Sequence, residues 1–216
     1  MKILSILSIC LLIIATGCKP GSFFKTPNEV SKMQGIIRFM DGTQKEGLIT
    51  INFGREHPGE RYEWVVLNTA QGEEKFKAQS IEYYKIGEDY YYPKTVELYF
   101  DGTMRLLFVK RLTKENARIQ MYELFEESRE SIDGQGNNYY YFIAPANLLR
   151  LEAWNIFGKS LRPDFNYKMS MLVKDCPALA DKILTKQKKY DMPQVLGFNA
   201  KVEVVKRIVD EYNNCK

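Results

Sequence analysis

The chain has 216 residues, of which 45% are hydrophobic and 27% are charged, and its formal net charge is +4 at pH 7. The apolar content is ordinary for a packed globular protein, and the length allows one domain or one and a half. So small a positive charge does not favour nucleic acid as a partner.

The chain begins with the basic residue Lys2 and a short apolar segment, Ile3–Ile14. A helix needs about 20 residues to cross the hydrocarbon core of a bilayer, so this segment favours a signal peptide over a membrane span. The small residues Ala15 and Gly17 are typical of a cleavage site. A plain secretory signal and an uncleaved anchor are the alternatives.

The stretch Ala15-Thr16-Gly17-Cys18 resembles the lipobox of bacterial lipoproteins. The resemblance implies that residues 1–17 are a cleaved signal peptide and that Cys18 begins the mature protein. It also implies a thioether-linked diacylglycerol and an N-acyl chain, such as palmitate, on Cys18. Two or three acyl chains make membrane anchoring effectively permanent. We expect no other cofactor.

Residues 18–31 are expected to form a tether between the lipid and the folded body. Lys19 follows the lipobox cysteine where many inner-membrane lipoproteins have aspartate, which favours the outer membrane. No acidic run follows Cys18, which favours a body that faces the periplasm, with the cell surface as the open alternative.

The lipoprotein resemblance also implies a role for each of the four cysteines. Cys10 would leave with the signal peptide and Cys18 would carry the lipid, so Cys176 and Cys215 remain in an oxidising compartment. We expect a disulfide between these two, closing a loop of about 40 residues and contributing roughly 4 kcal/mol. Two buried free thiols are the alternative. No metal site is expected, because two sulfurs and one distant histidine do not complete a zinc shell.

Residues 32–160 are predicted to form an antiparallel β-domain. Apolar and polar residues alternate with period two in Ile49–Phe53 and Val96–Phe100, as in half-buried strands. Asp41-Gly42 and Asp101-Gly102 predict hairpin turns, and residues 68–72 and 133–138 predict further turns. Strands are predicted over Ile36–Met40, Gly47–Phe53, Tyr62–Leu67, Lys75–Ala78, Val96–Phe100, Met104–Val109, Ile119–Phe125 and Tyr139–Ile143. The pattern indicates an antiparallel β-meander, as a curved sheet or an open barrel.

Residues 161–216 are predicted to form a small helical unit. Asp164 can cap a first helix, Pro177 suits the first turn of a second, and Asn199 can begin a third. In the third helix the apolar residues fall on one stripe; they are Val202, Val205, Val209 and Tyr212. The fold class is therefore α+β, a meander followed by three helices.

Two short patterns extend the resemblance beyond the anchor. One combines Gly35-Ile36-Ile37 with Glu46-Gly47-Leu48-Ile49, and the other combines Asp175-Cys176-Pro177 with Tyr212-Asn213-Asn214-Cys215. Together they resemble uncharacterised envelope proteins of Bacteroidota, which implies an envelope role and supplies no chemistry. Some of those proteins carry such a segment near an outer-membrane barrel. Because this chain ends at Lys216, we expect it to have no membrane barrel of its own.

Few residues indicate catalysis. His57, the single histidine, lies in a polar loop, and no Gly-x-Ser-x-Gly motif accompanies it. The doublets Glu73-Glu74 and Glu126-Glu127 would point to opposite faces of a strand, so neither forms a carboxylate pair by itself, and Asp101 stands apart. The segment Asp133–Asn138 lacks the alternating ligands of a calcium loop. We therefore predict no catalytic residue and no metal ligand.

Tyrosine clusters provide the candidate binding face. Its residues are Tyr83, Tyr84, Tyr90, Tyr91, Tyr92, Tyr139, Tyr140 and Tyr141. Successive side chains of a strand point to opposite faces, so some of these rings must lie away from the core. Exposed tyrosines can anchor a partner protein or stack on sugar rings. Ordinary strand composition is the alternative explanation.

Three functions follow, in order of preference. The first is a non-catalytic interaction or assembly module with an envelope protein as partner. The second is a lipoprotein that binds a glycan or another small ligand through the tyrosine face. The third is a hydrolase that uses paired carboxylates.

Overall fold

A computed structural model describes residues 32–51, 63–97, 103–127, 137–145, 148, 151–158, 160–192 and 198–215. The strands within these residues are β1 (Met33–Phe39), β2 (Gln44–Thr50), β3 (Trp64–Thr69), β4 (Gly72–Lys77), β5 (Ile81–Ile86), β6 (Asp89–Glu97), β7 (Met104–Arg111), β8 (Ile119–Glu127), β9 (Asn137–Pro145) and β10 (Trp154–Asn155). The helices are α1 (Phe165–Leu172), α2 (Pro177–Leu184) and α3 (Phe198–Asn213). Several predictions lie outside the described residues: the signal peptide, Cys18 and the tether, the His57 loop, the Asp101-Gly102 turn and residues 133–136 of the last predicted turn.

All ten strands belong to one antiparallel sheet. Their order across it is β10-β9-β8-β7-β6-β5-β1-β2-β3-β4. After β4 the chain returns to pair β5 with β1, and from there it continues as a meander. The sheet is not closed. The predicted α+β architecture, a meander followed by three helices, is therefore confirmed as a curved open sheet.

The sheet carries a buried core on each of its two faces. In β7, Phe108 belongs to the core over β1, β2, β3 and β5, whereas its neighbours Leu107 and Val109 belong to the core over β6 to β9. Because adjacent residues of a strand point to opposite faces, these two cores lie on opposite sides of the sheet. We call the Phe108 side face A and the Leu107 side face B.

The far end of the sheet also approaches β6. The backbone N–H of Thr95 donates to the carbonyl of Leu151, and the N–H of Ala153 donates to the carbonyl of Thr95 at 3.3 Å. Glu152 forms a single parallel bridge with Thr95. The second half of the sheet therefore curls around its own core on face B.

The helices pack on face A of the second half. Ile119, Met121 and Ile143 of the sheet share one core with the buried side chains of all three helices. The predicted stripe on α3 is buried, and the helix begins at Phe198, one residue before Asn199. Pro177 lies in the first turn of α2, as predicted. Asp164 occupies the position before α1, but its side chain makes no capping hydrogen bond, so that part of the prediction is wrong.

The C-terminal motif fastens the helices to β8. The Asn213 side chain accepts a hydrogen bond from the Ile119 N–H at 2.9 Å and donates one to the Ile119 carbonyl at 3.0 Å. Asp175 forms an ion pair with Arg118 and accepts a hydrogen bond from the Tyr212 hydroxyl at 2.8 Å. These residues give the second of the two sequence patterns a structural explanation.

The structure joins Cys176 to Cys215 as a disulfide, with their Cα atoms 6.2 Å apart. The bond connects the residue before α2 with the end of α3. It lies beside Asp175 and Tyr212, so covalent and polar contacts hold the same end of the helical unit. Among the described helices, none combines the length and the apolar character that a membrane span requires.

Candidate binding surface

The eight candidate tyrosines do not share one surface. Tyr84 lies directly opposite Tyr91 in the β5–β6 pair, and both point to face A. Their rings stack with centroids 4.6 Å apart, and Tyr84 is only 2% exposed. Burial raises the pKa of Tyr84 well above its ordinary value and that of Tyr91 to about 12. Tyr84 is therefore a core residue and must be removed from the candidate face.

The tyrosines of β9 are divided in the same way. Tyr140 packs against the face B core, whereas Tyr139 and Tyr141 lie on face A with their ring centroids 6.4 Å apart. Tyr141 packs against the helical core, and burial is the main cause that raises its pKa to about 12. The β9 residues are thus separate from those of β5 and β6.

The remaining three tyrosines meet on face B. The Tyr83 ring centroid lies 5.4 Å from that of Tyr90 and 5.6 Å from that of Tyr92. Tyr90 and Tyr92 are two residues apart in β6, and their rings are nearly parallel with centroids 6.5 Å apart. All three side chains are partly exposed. The structure thus brings together three predicted residues from two strands.

Cationic side chains complete this cluster. The Arg111 guanidinium carbon lies 4.8 Å from the Tyr90 ring centroid and 4.9 Å from that of Tyr92. Arg111 Nη1 also donates a hydrogen bond to the Tyr92 hydroxyl oxygen at 2.8 Å. Lys85 Nζ lies 5.2 Å from the Tyr90 ring centroid. Contacts of this kind between cations and aromatic faces are attractive. We call Tyr83, Tyr90, Tyr92, Lys85 and Arg111 the tyrosine–arginine patch.

The guanidinium of Arg111 places a positive charge among the rings of the patch. Burial raises the pKa of Tyr92 to about 12, although the charge of Arg111 acts in the opposite direction, so Tyr92 is neutral at physiological pH. Nearby Arg38 is paired with Glu82 at 3.0 Å. Among the residues that the structure describes, no carboxylate forms an ion pair with Arg111. The patch can therefore offer a guanidinium to an acidic group.

Sequence reasoning missed the two cations of the patch. Lys85 lies directly opposite Tyr90, and Arg111 lies near Tyr90 and Tyr92 only because β6 pairs with β7 in this register. Lys85 is adjacent to the Tyr83-Tyr84 doublet in sequence, so strand alternation could have placed it beside Tyr83. No local signal identifies Arg111, because its partners are about twenty residues away along the chain.

The residues considered for catalysis either lie apart in the structure or fall outside the described residues. Glu74 forms an ion pair with Lys45 at 2.6 Å, whereas Glu73 alternates to the other side of β4. The side chains of Glu126 and Glu127 lie outside the described residues, as do His57 and Asp101. Within the described part of the chain, no group of three His, Cys, Asp or Glu residues could hold a metal ion.

Comparison with known proteins adds no relative. No protein-family model, no curated protein and no solved structure matches this chain.

Proposed function

We propose that the protein is a lipid-anchored protein of the cell envelope, held at the outer membrane through Cys18 and facing the periplasm. It acts as a non-catalytic interaction or assembly module, and the tyrosine–arginine patch is its contact surface for an envelope protein. The observation that carries this proposal is the position of Arg111, which lies against the rings of both Tyr90 and Tyr92.

The composition of the patch supports a protein partner. Tyrosine and arginine are enriched among the residues that dominate binding energy at protein interfaces. Mutual packing of Tyr83, Tyr90 and Tyr92 already restricts their rotamers, so little side-chain entropy remains to be lost on binding. Arg111 forms no ion pair with any carboxylate in the part of the chain that the structure describes, so it can pair with a carboxylate of the partner, and a bidentate pair of this kind adds orientation as well as affinity.

Site-specific photo-crosslinking in cells tests the surface. A photoreactive amino acid is placed at Tyr90, and separately at Met171, which is 49% exposed on α1 and serves as the control. We expect one discrete protein adduct from position 90 and none of the same mass from position 171. Equal adducts from both positions would indicate a contact that does not use the patch.

Variants of the patch test the energetics. With the photoreactive amino acid at position 90, Arg111→Ala and Tyr92→Ala should each reduce recovery of the crosslinked partner by about tenfold, the loss expected for a residue worth about 1.4 kcal/mol. Arg111→Lys keeps the charge but loses the planar fork, so it should give an intermediate recovery. If gentle solubilisation of envelopes repeatedly recovers the protein alone, and no variant changes that result, the proposed function is wrong.

A further inference from the structure

A second group of aromatic side chains lies where β9 and β10 meet the start of α3. The Tyr141 ring centroid lies 6.4 Å from that of Tyr139 and 6.0 Å from that of Phe198. Phe198 in turn lies 4.9 Å from Phe157. We call these four residues the aromatic shelf. They come from strand β9, the turn after β10 and helix α3, so only the tertiary fold assembles them.

Two rings of the shelf pack against a core and the other two are partly exposed. Tyr141 and Phe157 pack against the buried core of the helical unit, which fixes their rings. Tyr139 and Phe198 are 36% and 41% exposed, so their rings offer apolar area to solvent. A rigid, partly exposed row of rings can receive a flat apolar surface without first being ordered.

A cleft adjoins the shelf. It has a volume of about 710 Å³ and lies between the start of α1, the residues after α2 and the first turn of α3. Its polar lining includes Arg162, Asp164, Asn166, Lys186, Asp191 and Lys201. The volume is within the usual range for small-molecule sites.

Arg162 and Lys201 connect the cleft to the shelf. The Arg162 guanidinium carbon lies 5.5 Å from the Phe157 ring centroid, while Arg162 itself lines the cleft. Lys201 lines the cleft three residues after Phe198, and residues with this spacing are neighbours on a helix surface. Shelf and cleft therefore form one continuous surface.

The charges along this surface are nearly balanced. Cations and carboxylates alternate in the cleft, and at the shelf Lys206 lies 5.6 Å from the Tyr141 ring centroid and forms an ion pair with Glu203 at 3.3 Å. In the cleft, Asn166 Nδ2 donates to the carbonyls of Ile183 at 2.9 Å and Tyr190 at 3.0 Å, and neither bond uses its Oδ1. Donors and acceptors are thus mixed, which does not favour a strongly charged ligand.

We propose that the aromatic shelf and its cleft bind a neutral oligosaccharide. A sugar ring has an apolar C–H face, which suits the rings of Tyr139 and Phe198, and hydroxyl groups, which can both donate and accept in a lining of mixed charge. Asp164 and Asp191 offset two of the three cations that line the cleft, so the lining has no strong net charge to favour an anionic ligand, and an apolar ligand would remove these charged groups from water. This site is separate from the tyrosine–arginine patch, and its ligand does not depend on the proposed protein partner.

Binding of defined sugars tests this site. The full-length protein, solubilised in detergent, is screened against immobilised neutral tetrasaccharides of glucose, mannose, galactose and N-acetylglucosamine, with a uronic acid tetrasaccharide in parallel. We expect at least one neutral sugar to bind, and its affinity to change little between low and high salt. Binding of none of the neutral sugars, or binding of the uronic acid alone with strong salt dependence, overturns the proposal.

Variants locate the site. Phe198→Ala and Tyr139→Ala should each weaken sugar binding by about tenfold or more while the protein stays folded, which a cooperative melting transition checks. Tyr90→Ala, a tyrosine change in the other cluster, is the matched control and should leave sugar binding unchanged. Sugar binding that survives both shelf variants, or that Tyr90→Ala abolishes, would assign the sugar to another surface. Loss of the crosslinked partner in Arg111→Ala bears only on the proposed function.

Discussion

Gly35 lies directly opposite Gly47 in the β1–β2 pair. A Cβ atom at Gly35 would lie 2.5 Å from the Lys85 carbonyl oxygen and 2.5 Å from Ile49 Cδ1, and one at Gly47 would lie 2.6 Å from the Asn68 carbonyl oxygen. No side chain fits at either position unless the neighbouring strands move apart. The first of the two sequence patterns therefore has a packing role. Its glycines allow the neighbouring backbone and the side chain of Ile49, which is fully buried, to approach β1 and β2 closely.

Replacing the first of these glycines should destabilise the protein. Gly35→Ala places a methyl group against backbone that cannot move without disturbing β5, and we expect a loss of about 1–3 kcal/mol in the free energy of unfolding. Denaturant-induced unfolding measures it. Gly87→Asn is the control, because Gly87 has open space around it and a φ of +58° that asparagine tolerates. Equal stability of Gly35→Ala and the wild type would show that the close approach is not required.

The disulfide should contribute strongly to stability. Cys176 and Cys215 are 39 residues apart in the chain, and closing a loop of that length restricts the unfolded state by about 4 kcal/mol. Cys215→Ser should lower the free energy of unfolding by about that amount, and reduction of the wild type should give the same curve. Peptide mapping without reductant should recover the two cysteines as one linked species. Labelling of both thiols in oxidised protein would contradict the bond.

The Asp175 ion pair should make stability depend on pH. The hydrogen bond from Tyr212, followed by the charge of Arg118, holds the pKa of Asp175 below its ordinary value of 3.8. A carboxyl whose pKa is lowered by folding stabilises the folded state above its ordinary pKa, and this stabilisation is lost as the pH falls through the lowered value. The melting temperature of the wild type should therefore exceed that of Asp175→Asn at pH 7, and the difference should shrink below about pH 4.

A second variant separates the causes of that pH dependence. Tyr212→Phe keeps the ring over which Arg118 lies at 4.0 Å but removes the hydroxyl donor. The difference in melting temperature between Tyr212→Phe and Asp175→Asn should change less with pH than the difference between the wild type and Asp175→Asn. A difference between wild type and Asp175→Asn that persists unchanged down to pH 2 would mean that the carboxylate charge contributes nothing.

The proposed lipid anchor has a direct test. Cys18→Ser removes the sulfur that would carry the diacylglycerol, and because stable attachment needs at least two acyl chains, the protein should leave the outer-membrane fraction. Cell fractionation followed by immunoblotting measures this, with Cys10→Ser as the matched cysteine control that should stay membrane-bound. If Cys18→Ser is still found in the membrane fraction, the anchor lies elsewhere in the chain.

Local patterns predicted most strands but not all of them. The strands β1 to β4 and β7 to β9 lie close to their predicted positions, because alternation and turn residues are properties of neighbouring residues. Gly42 has a φ of +85° in the hairpin that Asp41-Gly42 predicted. Strands β5 and β10 and most of β6 were missed, because runs such as Tyr90-Tyr91-Tyr92 place aromatic residues on both faces and lack apolar–polar alternation, and β10 has only two residues.

The sequence by itself determined most of the strands and helices, the turn glycines and the residue types available for binding, because these depend on each residue and its near neighbours. The sequence also predicted that some tyrosines leave the core. Only the tertiary structure decided which ones, because a core covers face A at β5 and β6 and buries Tyr84, whereas face B is partly open there and leaves Tyr90 partly exposed. Strand register, which long-range packing selects, then placed Arg111 beside Tyr92, and the packing of α3 on the sheet placed Phe198 beside Tyr141.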